Sequence, residues 1–540
     1  MTVLDRPIPQ VVRERSQAAP PLLRADPVRS RRITANSSWA VAGMASVISI
    51  VAFVYCYQRG WTLAYNDSIS HMLIARRVID STNPGLGQLG TVWLPLPHLL
   101  MLPFIGIDPL YYSGAAGSII SMAAFVVAAV YLYKLVRGLT GDGWAGWVAA
   151  AVFMLNANVL FMQTTPMTEL LLLATMVVGA YHVMRWSQTG EYLHLTAAGF
   201  AILLATLSRY EGWVFALTMT AVVVLISIRQ RRPWKRTQDL VIAFSIFWGA
   251  GIGLWVLWNQ LIDKNPLSFQ NGAYAKPSLW VGAHEAAKGH WGTAAKTYGY
   301  AIQGNVGWAM LAVCGAGLVY FIVRSRLGNH ALSSIAFLVF IPFFVLALES
   351  GQRPLHVRQI TGDLYNVRFG LLIIIPMAIG AGYLAGIGHA MRFGWVPKVA
   401  IIGVALISGL VMVHGGQVTT LNEAKAMLVS DTAKRSDLTS RWLEHHYDRG
   451  LILMEGTGNE TIPFYARIAL DNVVYEGSKQ FKHALTDPTA EHIRWIVARD
   501  TSGQPDRVYK ALHGRRALAA YRIVHRDADR VIYEARRGER

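Results

Sequence analysis

Apolar stretches of about 20 residues recur between residues 39 and 414, and they restrict the fold of this chain more than any motif does. A helix of that length crosses a bilayer core of about 30 Å. The chain is 53% apolar and only 15% charged, whereas an average soluble domain is roughly 25% charged. A soluble fold would need many fully buried helices with too little polar surface to cover them. The sequence therefore predicts a mainly α polytopic membrane protein.

Eleven transmembrane helices are predicted from these stretches. They cover residues 39–57, 110–134, 145–162, 168–185, 193–207, 213–228, 239–258, 305–323, 331–348, 369–388 and 397–414. Residues 1–38 are rich in Arg and Pro and lack hydrophobic periodicity, so we expect a disordered basic cytoplasmic tail. The first apolar stretch exceeds the length typical of a cleavable signal peptide, and we expect it to remain as an anchor.

Basic residues in the short connections predict the orientation of the helices. Lys and Arg accumulate in cytoplasmic loops, and with the tail inside, each predicted cytoplasmic connection is basic. The residues concerned are Lys134, Arg137, Arg185, Arg229, Arg231, Arg232, Lys235, Arg236, Arg324, Arg326, Arg392 and Lys398. The transmembrane module 39–414 then has three long outer loops, 58–109, 259–304 and 349–368. Segment 415–540 falls outside a plasma or inner membrane.

The net charge of +18 does not indicate a nucleic-acid partner. Segment 421–540 holds 20 Lys and Arg against 17 Asp and Glu, a balance of +3. Most of the excess lies beside apolar stretches, where it sets orientation and faces membrane lipids. Cys56 and Cys314 both lie in apolar stretches, so neither a disulfide framework nor a cysteine metal cluster is predicted.

Segment 415–540 is predicted to form a small extracytoplasmic α/β domain. Short strand-like runs alternate with helical stretches, a pattern typical of such domains. The strands are predicted at 451–454, 473–475, 495–498, 521–524 and 531–534, and the helices at 433–448, 477–485 and 505–513. The turn from Glu455 to Glu460 lacks the full glycine pattern and the Lys-Ser/Thr ending of a phosphate loop.

Three acids on the outer side are candidate catalytic residues: Asp67, Glu169 and Glu211. Asp67 either caps a helix predicted near 67–80 or faces a cavity at the membrane surface. Glu169 either stabilises the start of its helix through the macrodipole, or it orients a hydroxyl or holds a cation. Around Glu211, either Arg209 forms a structural ion pair with Glu211 or with Glu169, or Glu211 contributes to a site, because ionisable groups between membrane helices are costly.

Positive and aromatic residues on the same side are candidate substrate-binding groups. Arg353, His356, Arg358 and Arg368 are basic on the outside, against the usual bias. The guanidinium fork of Arg suits a phosphate, although such residues also extend toward lipid headgroups. Arg209 would bind substrate or pair with a neighbouring acid. Tyr210 offers a flat surface for a sugar ring, or it belongs to the aromatic belt at the membrane surface.

The order of these features resembles the GT-C superfamily of integral-membrane glycosyltransferases. The resemblance covers roughly residues 39–390. It rests on Asp67 in the first outer loop, the Pro- and Leu-rich piece 93–104, the Met167–Glu169 link, the Arg209–Glu211 link and Arg368. The most similar members use polyprenyl-phosphate sugars, and include protein O-mannosyltransferases and the aminoarabinose transferase of lipid A.

The resemblance implies a transfer of sugar from a polyprenyl-phosphate donor to a glycan, lipid or protein acceptor, with inversion. Asp67 would be the general base and Arg368, helped by Arg358 or Arg353, would stabilise the leaving phosphate. Mannosyltransferases have Asp-Glu where this chain has Asn66 and Asp67, so only one carboxylate carries over.

Two other functional classes stay open at this stage. A transporter or flippase of a lipid-linked or anionic substrate would use the same basic groups, although transporters usually bind substrate near the membrane midplane. A membrane scaffold would account for the C-terminal domain, but not for the gathered acids and arginines. A divalent cation is an open cofactor hypothesis, because the sequence shows no ligand set for one.

Overall fold

A computed structural model describes residues 27–272, 275, 285–387, 393–500, 505–527 and 529–536. The predicted tail up to residue 26, most of 273–284 and Arg392 lie outside the described residues. The helices of the first half are α1 (Pro27–Tyr57), α2 (Asn66–Arg77), α3 (Leu96–Ile105), α4 (Asp108–Tyr112), α5 (Ala115–Thr140), α6 (Gly143–Met154), α7 (Ala157–Met162), α8 (Glu169–Thr189), α9 (Tyr192–Ser208), α10 (Glu211–Arg229), α11 (Trp234–Asp263) and α12 (Ser268–Asn271). They are followed by α13 (Trp291–Val306), α14 (Trp308–Ser325), α15 (Leu332–Ile335), α16 (Phe340–Glu349), α17 (Arg358–Thr361), α18 (Ile374–Gly386), α19 (Val396–His414) and α20 (Thr419–Leu428).

Nine of the eleven predicted spans coincide with helical segments in the described part of the chain that have 18 or more residues and are apolar enough to cross a membrane. The remaining two correspond to shorter helices: α9 has 17 residues, and the span predicted at 145–162 is divided into α6 and α7. The protein is thus an integral membrane protein with a mainly helical bundle.

The division between α6 and α7 occurs at Asn156. Its side-chain oxygen accepts a hydrogen bond from the Val159 N–H (3.0 Å) and caps α7. Its side-chain nitrogen donates to the Asn305 carbonyl oxygen (2.8 Å). A broken helix leaves backbone groups that need partners inside the protein. The contacts of Asn156 supply such partners, and hydropathy, which does not register them, predicts one continuous helix.

The Pro- and Leu-rich piece forms α3, a helix of ten residues. At 1.5 Å per residue it is about 15 Å long, too short to cross a bilayer. It packs against α2, α5 and α9, and it lies within the predicted outer loop 58–109 and not in a predicted span.

Gly380 allows α14 and α18 to pack closely. A Cβ on Gly380 of α18 would lie 2.5 Å from the Leu318 nitrogen and 2.7 Å from the Cys314 oxygen of α14. Small residues permit such approach between membrane helices. We expect Gly380→Ala to destabilise the bundle by about 1–3 kcal/mol through overpacking, seen as a lower midpoint of thermal unfolding in detergent.

The matched control is Gly315→Ala in α14. A Cβ on Gly315 meets no atom within 4 Å, and alanine is the better helix former by about 1 kcal/mol. Its unfolding midpoint should therefore stay unchanged or rise. Equal midpoints for the two variants would contradict a tight crossing at Gly380.

The C-terminal segment forms a small α/β domain with a mixed sheet. Its elements are α21 (Asp431–His446), β1 (Leu451–Leu453), α22 (Thr461–Tyr465), β2 (Val473–Val474), α23 (Phe481–Ala484), β3 (Ile493–Arg499), α24 (Arg507–Leu512), β4 (Tyr521–Arg526) and β5 (Arg530–Ala535). The strand order is β2-β1-β3-β5-β4, with β1 parallel to β2 and β3, and β5 antiparallel to β3 and β4. Each of the five predicted strands is present.

One face of this sheet shares a hydrophobic core with the segment after α1. Ile69 and Met72 of α2 and Met101 of α3 are buried together with Ile452 of β1 and Trp495 of β3. The C-terminal domain therefore supports α2, the helix in whose first turn Asp67 lies.

Candidate active site

Several of the predicted site residues meet at one end of the bundle. Glu169 opens α8, Arg209 follows α9, Glu211 opens α10, and Arg368 lies in a 3₁₀ turn, Val367–Ile373, that leads into α18. These residues, with others, form a network that we call the charge cluster: Asp67, Glu169, Arg209, Glu211, Arg353, Arg368 and Glu423.

Arg368 is the centre of the charge cluster. Its Nη2 donates to Asp67 Oδ2 (2.6 Å), its Nε lies 3.0 Å from Glu169 Oε1, and its Nη1 lies 3.3 Å from Glu423 Oε1. The Arg368 side chain is only 7% exposed. A buried guanidinium requires such partners, because an uncompensated charge in the interior is strongly destabilising.

Arg209 extends the same network to Glu211 and Arg353. It donates to Glu169 Oε1 through Nη1 (2.9 Å) and to both oxygens of Glu211 through Nη2 (3.1 Å) and Nε (3.3 Å). Arg353 then reaches Glu211 Oε1 through its Nη1 (3.3 Å). Acids and arginines thus alternate, so each of these positive charges has a carboxylate at ion-pair distance.

Asp67 differs from the other three carboxylates in its accessibility. Its side chain is 31% exposed, whereas those of Glu169 and Glu211 are 1% exposed and that of Glu423 is 0%. Glu169 pairs with Arg209 and Arg368, and Glu211 pairs with Arg209 and Arg353. Of the three predicted catalytic acids, Asp67 is the one with a substantial exposed fraction.

Tyr210 lies beside the cluster, under the loop after α11. Its hydroxyl donates to the Val92 carbonyl oxygen (2.6 Å) and accepts from Trp255 Nε1 (3.3 Å). Its ring stacks on Phe269 with centroids 5.3 Å apart. One ring face is therefore covered, and the hydroxyl ties the segment before α3 to the bundle.

His356 and Arg358 have surroundings different from those of Arg368. His356 pairs with Asp363 Oδ2 through Nδ1 (2.8 Å) and with Glu285 Oε2 through Nε2 (3.2 Å). Arg358 is exposed at the start of α17 and is not a member of the charge cluster as defined above. Their assignment as phosphate-binding residues stays a prediction.

The His356 contacts predict a pH dependence of loop stability. Burial alone would lower the pKa of His356, but hydrogen bonds and charges from Asp363 and Glu285 outweigh burial and raise it. Protonation therefore stabilises the loop fully below the unfolded pKa of about 6.5, and the gain is lost as pH rises through the higher folded value. We expect loop 351–366 of wild type to be cleaved by protease more slowly than that of His356→Gln at acidic pH.

The ratio of the two cleavage rates should approach one above the folded pKa of His356. Taking the ratio at each pH removes the pH dependence of the protease itself. A ratio that stays constant from pH 5 to pH 9 would show that the charge of His356 does not support the loop.

Sequence reasoning missed three residues near the cluster. Glu423 comes from α20 after the last span, and the Tyr65 hydroxyl lies 3.0 Å from its Oε2. His71 lies one turn beyond Asp67, with its Nδ1 2.9 Å from His98 Nε2. Burial, with the charges of Arg209 and Arg368, lowers the pKa of His71 to about 3, so its ring is neutral at physiological pH. The i, i+4 spacing from Asp67 is the one signal in the sequence that points to His71.

The carboxylates of the cluster are directed at guanidinium groups. Among the described residues, no three His, Cys, Asp or Glu side chains converge in a way that could hold a metal ion.

Several known proteins share parts of this sequence or fold. The family model for dolichyl-phosphate-mannose-protein mannosyltransferase matches residues 112–252. ArnT from Cupriavidus metallidurans, solved bound to undecaprenyl phosphate, superposes with a TM-score of 0.53 and 14% identity, over 91% of this chain and 98% of that one. Its apo state gives 0.53 and 13%, over 90% and 97%.

An oligosaccharyltransferase from Archaeoglobus fulgidus, tethered with an acceptor peptide, gives a TM-score of 0.47 at 12% identity, over 86% of this chain and 69% of that one. A search of curated protein sequences gives no match. The chain therefore shares its fold with ArnT over most of both chains, and part of it matches a mannosyltransferase family model. Both findings agree with the resemblance to GT-C glycosyltransferases that the sequence indicates.

Proposed function

We propose that this protein transfers a sugar from a polyprenyl-phosphate donor to an acceptor hydroxyl at the outer face of the membrane. One observation carries the proposal: the single accessible acid of the charge cluster, Asp67, is paired with a buried arginine, Arg368, at 2.6 Å. A candidate base and a candidate phosphate-binding group are thus in direct contact, close enough to act on the two sides of one anomeric carbon. The mannosyltransferase family match and the ArnT-like fold support the same chemistry.

The reaction is a direct displacement. The acceptor oxygen attacks the anomeric carbon, and Asp67 takes the hydroxyl proton in the same step. The bond from the anomeric carbon to the phosphate oxygen breaks, and its electron pair stays on the polyprenyl phosphate. Arg368 stabilises this developing charge, an electrostatic contribution that is often the largest in catalysis. Displacement of this kind inverts the anomeric configuration.

Donor binding would also release the base. The Asp67 carboxylate accepts a hydrogen bond from the Nη2 of Arg368 (2.6 Å), so one of its oxygens is already engaged. A donor phosphate competes with Asp67 for the Nη2 of Arg368. Once phosphate binds, Asp67 is free to accept a proton. The site would therefore act on the acceptor only after the donor is in place.

The second arginine serves a different part of the site. Arg209 is held on both sides by Glu169 and Glu211. These two acids fix the arginine side chains at the depth where the spans end, and they would shape the acceptor pocket rather than transfer protons. Arg353 is the most exposed of the three arginines, at 26%, and would contact the donor headgroup.

Purified protein in vesicles tests the proposal. Labelled polyprenyl-phosphate sugars are supplied with extracted cell envelope as acceptor, and the release of polyprenyl phosphate is measured against protein-free vesicles. Release that depends on both protein and acceptor is the expected result. Absence of release with every donor would overturn the proposal, and movement of the donor across the vesicle membrane would then favour a transporter.

A further inference from the structure

A carboxylate from beyond the last span reaches the charge cluster. Glu423 belongs to α20 and is fully buried. Its Oε1 accepts from the Asn366 backbone N–H (2.6 Å) and lies 3.3 Å from Arg368 Nη1. Its Oε2 lies 3.0 Å from the Tyr65 hydroxyl. One buried acid therefore contacts both the backbone and the guanidinium of the turn that carries Arg368.

Helix α20 has anchors other than Glu423. The backbone N–H and the hydroxyl of Thr420 both donate to Asn158 Oδ1 (2.9 Å each). The Tyr65 hydroxyl donates to the Thr420 carbonyl oxygen (2.8 Å). Neutral hydrogen bonds thus already hold the start of α20, whereas burial of a charge costs free energy. Docking of α20 therefore does not explain why an acid is buried at position 423.

The backbone of Asn366 provides that reason. Its φ of 53° is in the left-handed region, which Asn tolerates better than most residues. Its side-chain nitrogen also donates to the Pro354 carbonyl oxygen (2.9 Å). Glu423 accepts a hydrogen bond from the Asn366 backbone and, two residues later, contacts the guanidinium of Arg368. It therefore restrains both the backbone turn before Arg368 and the end of the Arg368 side chain.

We propose that Glu423 is a positioning residue that aims Arg368 at the donor phosphate, an inference that rests on the proposed function. With Nη1 held by Glu423 and Nε near Glu169, the Nη2 group is the part left to exchange Asp67 for phosphate. The C-terminal segment would thereby complete a site built from the membrane helices.

The charge and the geometry of Glu423 predict opposite effects on binding and turnover. Glu423→Gln keeps the size of the side chain, removes one negative charge near the phosphate and releases Arg368. We expect the KM for donor to stay equal or fall, because the pocket becomes more positive. We expect kcat to fall about 10- to 100-fold, because small misplacements of a catalytic group have effects of that size.

The control is Thr420→Val, which removes the hydroxyl bond to Asn158 from the same helix and leaves Arg368 untouched. It should retain wild-type KM and kcat. The release of polyprenyl phosphate is measured for wild type and both variants, at saturating acceptor and varied donor concentration. The midpoint of thermal unfolding is measured for each protein as well.

The outcomes separate the two proposals. The positioning role is supported if Glu423→Gln has a lower kcat without a higher donor KM, while Thr420→Val keeps a kcat near that of wild type. Wild-type kinetics in Glu423→Gln, or equal loss in both variants with matching drops in midpoint, overturns it while the glycosyltransferase assignment stands. Absence of release by wild type overturns both.

Discussion

Replacement of Asp67 by Asn is expected to lower kcat by about 10²–10⁴, the usual contribution of general-base assistance. Asn cannot accept the proton of the acceptor hydroxyl, but its size and its place in the first turn of α2 are retained. Because the Arg368 guanidinium loses a competitor for its Nη2, donor binding should be equal or tighter. The measurement is release of polyprenyl phosphate together with a donor KM.

Asp108→Asn is the matched control for this prediction. Asp108 also lies in the first turn of a short helix in the same segment, and it pairs with Arg76 at 3.0 Å rather than with the charge cluster. Its kcat should equal that of wild type. Full turnover in Asp67→Asn would move the base to Glu169 or Glu211, which are both buried, and would leave the class of reaction in place.

The grouping of the site could be predicted because it follows from topology. Every second connection in a helical membrane protein lies on the same side. Asp67, Glu169, Arg209 and Glu211 stand at helix ends that share one side, so alternation alone places them near each other. The ion pairs of Arg209 with Glu169 and Glu211 were the alternative reading of those residues, and both pairs exist.

The position of Glu423 could not be predicted in the same way. Its partner Arg368 is 55 residues earlier in the chain, and nothing in the polar sequence after the last span indicates that α20 turns back into the cluster. The partners of His356 could not be predicted either. It precedes Arg368 by 12 residues, and the bridge between His356 and Tyr365 places its ring against Asp363 and Glu285.

The turn from Glu455 to Glu460, which partly resembles a phosphate loop, binds a side chain of its own domain. The backbone N–H groups of Gly456 (2.6 Å) and Thr457 (2.8 Å) donate to the carboxylate of Glu476. The amides that a phosphate loop would present to a ligand are thus satisfied within the domain. Packing of this domain against α2, rather than ligand binding at the turn, connects it to the site.

Arg368 is expected to show the largest combined effect on activity and stability. Arg368→Gln removes the donor to the leaving phosphate, and loss of one such donor costs about 10²–10³ in kcat. It also leaves Glu423 buried without its guanidinium partner, and breaking a buried pair costs about 3–5 kcal/mol. Arg368→Lys keeps the charge but replaces the fork by a single ammonium group, which cannot hold Asp67, Glu169 and Glu423 in the same geometry.

The comparison of the two variants separates fold from chemistry. Arg368→Lys should recover most of the unfolding midpoint lost in Arg368→Gln, because the charge of the buried acids is again opposed. It should not recover kcat, because a single ammonium group cannot stay against Glu423 and Glu169 and also present an N–H to phosphate at the place of Nη2. Arg353→Gln, at the exposed end of the cluster, should have a smaller effect on both quantities, since exposed ion pairs contribute about 0–1 kcal/mol. Wild-type kcat in Arg368→Lys would show that the site needs only a positive charge there, and that the alternation of acids and arginines serves the stability of the bundle.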